Sequence, residues 1–165
     1  MKAADGSVIY QHEIDSRKVL DPRVAYVMTN MMQEVLNSGT GAGVRSRGFL
    51  LPAAGKTGTS RDGWFAGFTS ELLCVVWVGF DDNRDLNLEG ARSALPIWAE
   101  FMKRAAQFRP YNNAKQFSAP PGVSSVQICT DSGELATPEC PNTRWEVFIS
   151  GTEPGAQCHL HGVGQ

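Results

Sequence analysis

From Val24 to Leu36 the apolar residues Val24, Val27, Met28, Met31, Met32, Val35 and Leu36 recur at three- and four-residue spacing. That is the spacing at which side chains share one face of an α-helix. Asp21 followed by Pro22 predicts where it opens, with a carboxylate acceptor at the N-cap and proline at the first helical position. Asn37-Ser38-Gly39 predicts where it stops, and the three methionines read as adaptable core filling. A second helix is expected over Ser93–Gln107 with Pro96 in its first turn. Ile97, Trp98, Phe101, Met102 and Ala105 fall on one face, and Glu100, Lys103, Arg104 and Gln107 on the other.

Between the helices the pattern changes. Glu71–Phe80 is apolar almost without a break, which reads as a strand buried on both faces with a helical layer on each side. Cys74, in its middle, reads as a small buried apolar residue. Leu51–Thr69 reads as a strand, a tight turn at Asp62-Gly63 and a returning strand. Gly6–Ile14 suggests a short edge strand with His12 in solvent. Ser38–Val44 is glycine-rich but lacks the flanking strand and helix of a nucleotide-binding turn, so it reads as a flexible connection. Asp81–Asp85 breaks the spacing of a calcium loop and reads as a solvated turn.

Past the second helix, Arg109–Ala114 and Ser118–Gly122 have the composition of a linker, and Val123–Cys129 and Arg144–Ile149 read as two short strands. The expected class is therefore α+β: an antiparallel sheet with helices packed on both faces, plus a small β-rich C-terminal tail. The expected divisions are 1–108 for the main body, 109–122 for the linker and 123–165 for the tail.

Composition narrows the partners. The chain has 165 residues, 42% hydrophobic and 19% charged, enough for one globular domain with an appendage. A net charge of -2 without a basic stripe argues against nucleic acid. The start lacks the apolar core of a signal peptide, and Leu72–Val78, the longest apolar run, falls far short of the roughly 20 residues of a membrane helix. Contact with a membrane is expected only through an anchor outside this chain.

The candidate chemistry is concentrated at Lys56-Thr57-Gly58-Thr59. On a strand Thr57 and Thr59 project to the same side, and Gly58 removes bulk between them. A glycine inside a strand is a common sign that a ligand approaches the backbone. Two hydroxyls, an ammonium and free N–H groups at a sheet edge suit a carboxylate ligand. The plain alternative is a threonine-bearing hairpin with a solvated lysine. Gly55-Lys56-Thr57 does not complete a phosphate loop, because position 50 is Leu50 where that loop needs glycine.

The tail holds Cys129, Cys140 and Cys158, with His159 and His161 nearby. A Cys129–Cys140 disulfide would close a loop of about a dozen residues and stabilise the fold by about 3 kcal/mol. Free thiols come next in order, and zinc held by the three cysteines and His161 last, because a tight Cys-x-x-Cys is absent. No metal or other cofactor is assigned.

Lys56-Thr57-Gly58-Thr59-Ser60 resembles the Lys-Thr-Gly signature of the penicillin-recognising serine enzymes. Asp21–Gly41 upstream, and Asp62-Gly-Trp-Phe-Ala-Gly-Phe-Thr69 with Val76-Trp-Val-Gly-Phe-Asp-Asp82 downstream, resemble the class A penicillin-binding proteins in the same order. The resemblance runs from about Val8 to about Ala106 and faintly into the tail, and it implies part of a peptidoglycan D,D-transpeptidase, membrane-anchored and extracytoplasmic (periplasmic) in its parent. It implies that Thr57, Gly58 and Thr59 bind the carboxylate of a stem peptide ending in D-Ala-D-Ala, or of a β-lactam. It also implies catalytic roles for Thr59, whose N–H forms half of an oxyanion hole, and for Lys56, which tunes the proton relay.

The family's Ser-x-x-Lys and Ser-x-Asn motifs do not occur here. The resemblance thus implies a truncated piece, inactive alone, whose nucleophile comes from an upstream part of the domain. Two alternatives stand beside it: a non-catalytic module that binds cell-wall peptides, and a structural or assembly domain whose open sheet edge is covered in a homodimer.

Overall fold

The computed structural model describes residues 3–11 and 17–162. Its elements are α1 (Pro22–Asn37), α2 (Gly43–Ser46), β1 (Ala54–Thr59), β2 (Gly63–Phe68), β3 (Leu73–Val78), α3 (Ala94–Ala105), β4 (Val123–Cys129) and β5 (Thr143–Ile149). β1, β2 and β3 form an antiparallel sheet in that order, with Thr57 opposite Phe65 and Trp64 opposite Trp77. β4 and β5 form a separate antiparallel pair. The α+β class and its antiparallel sheet are as expected.

α1 begins as its sequence requires. The Asp21 carboxylate accepts a hydrogen bond from the Arg23 N–H at 2.8 Å, satisfying one of the donors that a helix start leaves unpaired. Of its apolar stripe only Leu36 is fully buried, while Val24, Met28 and Met31 are exposed. Core filling is therefore corrected for Met28 and Met31: α1 meets β1 and β5, and these do not cover the helix all along that side. The Ser38–Val44 connection is also more ordered than expected, since it runs into the one-turn helix α2.

α3 lies against β2 and β3 and anchors the core. Trp98 is fully buried, edge-on to Phe49 and close to Phe65, and its indole N–H donates to the carbonyls of Cys74 (3.0 Å) and Gly67 (3.3 Å). The buried stripe of α3 is Ala94, Leu95, Trp98, Ala99 and Met102, whereas Ile97 and Phe101 point to solvent. The expected apolar face was thus rotated by part of a turn. Small residues set the contact, because the Trp98 ring leaves no room for a side chain at Gly67. Glu100 pairs with Lys103 and Arg104 on the polar side, as expected.

β3 is not covered on both faces by the described residues. Cys74, Val76 and Val78 pack on the core, but Leu73 (66%), Val75 (54%) and Trp77 (44%) are exposed in strict alternation. Trp64 of β2 joins them, stacked obliquely on Trp77 at 6.3 Å. An unbroken apolar run does not distinguish a strand covered twice from one whose second cover is supplied by other residues.

Elsewhere, residues 6–11 contain a single bridge residue, Val8, and no strand, while His12 and Ile14 lie outside the described residues. The Asp81–Asp85 turn is exposed, with Arg84 over the Phe80 ring. Cys129 and Cys140 are not joined: Cys74, Cys129, Cys140 and Cys158 are all free thiols.

Candidate functional site

β1 is an edge strand of its sheet, and the predicted hairpin with β2 is present. Its loop is Ser60-Arg61-Asp62, closed by the Ser60 N–H donating to the Asp62 carbonyl, and Gly63 already belongs to β2. Gly63 is needed for a different reason than a turn. A Cβ there would lie 3.0 Å from Cβ of Ser93, so glycine lets β2 run close to the start of α3.

Along β1 the burial falls from Ala54 and Gly55, which are enclosed, to Lys56 and Thr59, which are exposed. The chemistry-bearing half of the strand therefore projects from the packed body. Thr57 shares its side of the strand with Thr59, and its hydroxyl lies 2.8 Å from that of Thr40. The Thr59 hydroxyl accepts from the Gly90 N–H at 3.2 Å. Lys56 points to the other pleat face, yet its ammonium folds round to donate to the Thr57 carbonyl at 2.7 Å, with the Thr57 hydroxyl 3.5 Å away. Lys56, Thr57 and Thr59 are thus brought together, although not all from one face.

Thr40 and Gly90 are neighbours that sequence reasoning missed. The glycine-rich loop after α1 brings Thr40 to Thr57, a pairing across 17 positions that local spacing cannot signal. Gly90 sits so close to the Gly58 and Trp64 backbones that no side chain fits. Its isolated position in a loop carried no such signal. Arg45 steadies the approach to β1, donating to the carbonyls of Phe49 (3.1 Å) and Leu51 (2.8 Å), and burial pushes its pKa down.

A cleft of about 890 Å³ lies elsewhere, between α1 (Val27, Met31, Glu34) and β5 (Trp145, Val147, Ile149). Its lining includes Glu34, Arg144 and Glu146 but no residue of Lys56–Thr59.

An edge strand carrying Lys-Thr-Gly, its antiparallel partners and a helix packed beneath them define a penicillin-binding transpeptidase-like fold. The crystal structure of penicillin-binding protein 1A from Haemophilus influenzae superposes with a TM-score of 0.71 at 31% identity, covering 84% of this chain and 22% of that one. Penicillin-binding protein 1A of Pseudomonas aeruginosa is 37% identical over 147 residues, 84% of this chain and 17% of its own length. Penicillin-binding protein 2D of Bacillus subtilis is 33% identical over 165 residues, 94% of this chain and 23% of its own. Residues 119–163 match the family model described as penicillin-binding protein 1A, C-terminal domain. The chain belongs to the class A penicillin-binding proteins. It spans about a fifth of the length of these relatives.

Proposed function

We propose that this chain forms the Lys-Thr-Gly wall of the acylation cleft of a peptidoglycan D,D-transpeptidase, anchored to the membrane and working on its outer side through segments not in this sequence. The observation that carries this reading is the exposed edge of β1. Lys56, Thr57 and Thr59 stand clear of the core there, with the Thr40 hydroxyl alongside.

Acyl transfer by a serine needs a nucleophile, a base and donors for the oxyanion. In this reading Thr57 and Thr59 hold the carboxylate of a D-Ala-D-Ala stem peptide or a β-lactam, with Gly58 letting it approach. The Lys56 ammonium supports the proton relay. Backbone groups of alternate strand residues turn the same way. Lys56 reaches the Thr57 carbonyl, which supports an edge position for the Thr59 N–H too, suited to one half of an oxyanion hole. The serine and its lysine come from an upstream part of the domain, and the uncovered apolar face of the sheet suits the packing of that part. The division into transpeptidase portion (1–108), linker (109–122) and tail (123–165) belongs to the same proposal.

Labelling with a fluorescent penicillin tests it. The 165-residue chain alone should take no covalent label, and a stable labelled band would overturn the assignment of the nucleophile to other sequence. Fused behind the preceding transpeptidase segment of the Pseudomonas aeruginosa relative, it should restore labelling that Thr57→Val with Thr59→Val slows by roughly 100-fold, the scale of losing hydrogen bonds to a charged carboxylate. Unchanged labelling of that variant refutes the carboxylate role. Threonine-dependent binding of a D-Ala-D-Ala peptide to the isolated chain would instead favour a non-catalytic binding module.

A further inference from the structure

The C-terminal unit is short of core. Among the described residues from 119 on, only Ile128, Cys129 and Cys158 are buried, so two of its three interior side chains are thiols. Units of about 40 residues seldom bury enough apolar surface to fold unaided, and metals or disulfides commonly make up the difference.

The side chains around those thiols converge. The sulfurs of Cys129, Cys140 and Cys158 and a ring nitrogen of His161 all lie within 4.8 Å of one another. His161 Nδ1 is 3.4 Å from Sγ of Cys129 and 3.3 Å from Sγ of Cys158. With Zn–S near 2.3 Å and Zn–N near 2.0 Å, a tetrahedral site has sulfur–nitrogen edges of about 3.5 Å, which these distances approach.

The surroundings are those of a ligand set. The other ring nitrogen of His161, Nε2, faces the Asp131 carboxylate at 3.6 Å, the usual way a second carboxylate orients a metal-bound imidazole. The Thr137 N–H donates to Cys140 at 3.3 Å. The four groups come from the end of β4, the loop before β5 and the last described segment, which Leu135 ties together by bridging to Ile128 and Gln157.

We propose that Cys129, Cys140, Cys158 and His161 form a closed Cys3His site for one zinc ion, and that this ion holds the C-terminal unit together. Four protein ligands leave no open position, so the ion is structural and not catalytic. On binding, three thiol protons leave to solvent, three Zn–S bonds and one Zn–N bond form, and nothing is oxidised or reduced. His161 stays neutral, binding through Nδ1 and donating Nε2–H towards Asp131. A disulfide between any two of the cysteines would leave the third thiol and the imidazole converging without a partner.

The test uses the whole chain, purified without chelator and loaded with zinc alone. Metal analysis should return one zinc per chain, lost in Cys140→Ser and strongly reduced in His161→Gln, with Cys74→Ser unchanged. Because the first two variants can unfold, cobalt is also loaded into the unaltered chain. The intense visible bands of a tetrahedral, thiolate-rich site support the proposal, and the weak spectrum of six-coordinate cobalt overturns it. Zinc well below one per chain overturns it too, as does an intact mass lower by two hydrogens with metal absent.

Discussion

The Gly67–Trp98 contact sets how closely α3 approaches the sheet, and its strength can be worked from the geometry. A Cβ added at Gly67 would stand 2.7 Å from a carbon of the Trp98 ring and 3.0 Å from the Phe65 ring, closer than side chains pack. Both rings are fully buried and cannot swing aside, so Gly67→Ala should cost about 1–3 kcal/mol as overpacking. Trp98→Phe removes the indole N–H from the Gly67 and Cys74 carbonyls and leaves a cavity, together about 2–4 kcal/mol. The shortened ring also vacates the space that the methyl group of the Gly67→Ala variant needs. The double variant should therefore be more stable than the sum of the two losses by about 1 kcal/mol, the scale of coupling between touching residues. Urea unfolding of the four chains reads this out, since about 1 kcal/mol moves the midpoint by roughly 0.5 M at an ordinary slope. Strict additivity would refute the claim that the glycine exists to admit the indole.

Three further outcomes are expected. The Arg23 guanidinium, 2.7 Å from Asp21, together with the Arg23 N–H, holds the Asp21 carboxyl down at about 2 from an ordinary 3.8. A depressed carboxylate stabilises the fold above its unfolded value and loses that contribution on protonation, so α1 should weaken as pH falls from about 4 towards 2. Asp21→Asn should keep the cap and flatten that profile in circular dichroism, and an unchanged profile would count against the pairing. Thr57→Val should shift stability by no more than about 1 kcal/mol in urea unfolding, because its partly exposed hydroxyl makes only the Thr40 contact besides Lys56. A loss of several kcal/mol would mean the hydroxyl belongs to the core and not to a ligand surface. Light scattering should show the isolated chain associating with concentration through its apolar sheet face, with Val75→Lys suppressing it. A chain that stays monomeric at all concentrations would sink that expectation.

Where one local rule governs, the sequence was readable. Asp21-Pro22 capped α1 as anticipated, the β1–β2 hairpin formed, and β4 and β5 fell within a residue of their expected limits. The Lys-Thr-Gly strand was found because its chemistry is contiguous. Contacts made across distance were not legible. Which stripe of α3 faces inward depends on where β2 and β3 lie, so Leu95 and Ala99 were missed and Ile97 and Phe101 wrongly chosen. Thr40 and Gly90 reach the site only through the fold. In the tail, Cys129, Cys140, Cys158 and His161 converge from three separate segments, and a cluster gathered that way has no fixed spacing to announce it.

The half-exposed pair Trp64 and Trp77 gives the uncovered sheet face an optical property of its own. Indoles in water emit at longer wavelength than indoles in an apolar setting. Whatever settles on that surface, whether upstream polypeptide or a second copy, should draw both rings out of solvent and turn the emission bluer. The chain thus carries an intrinsic dye at the place where its assembly would be completed.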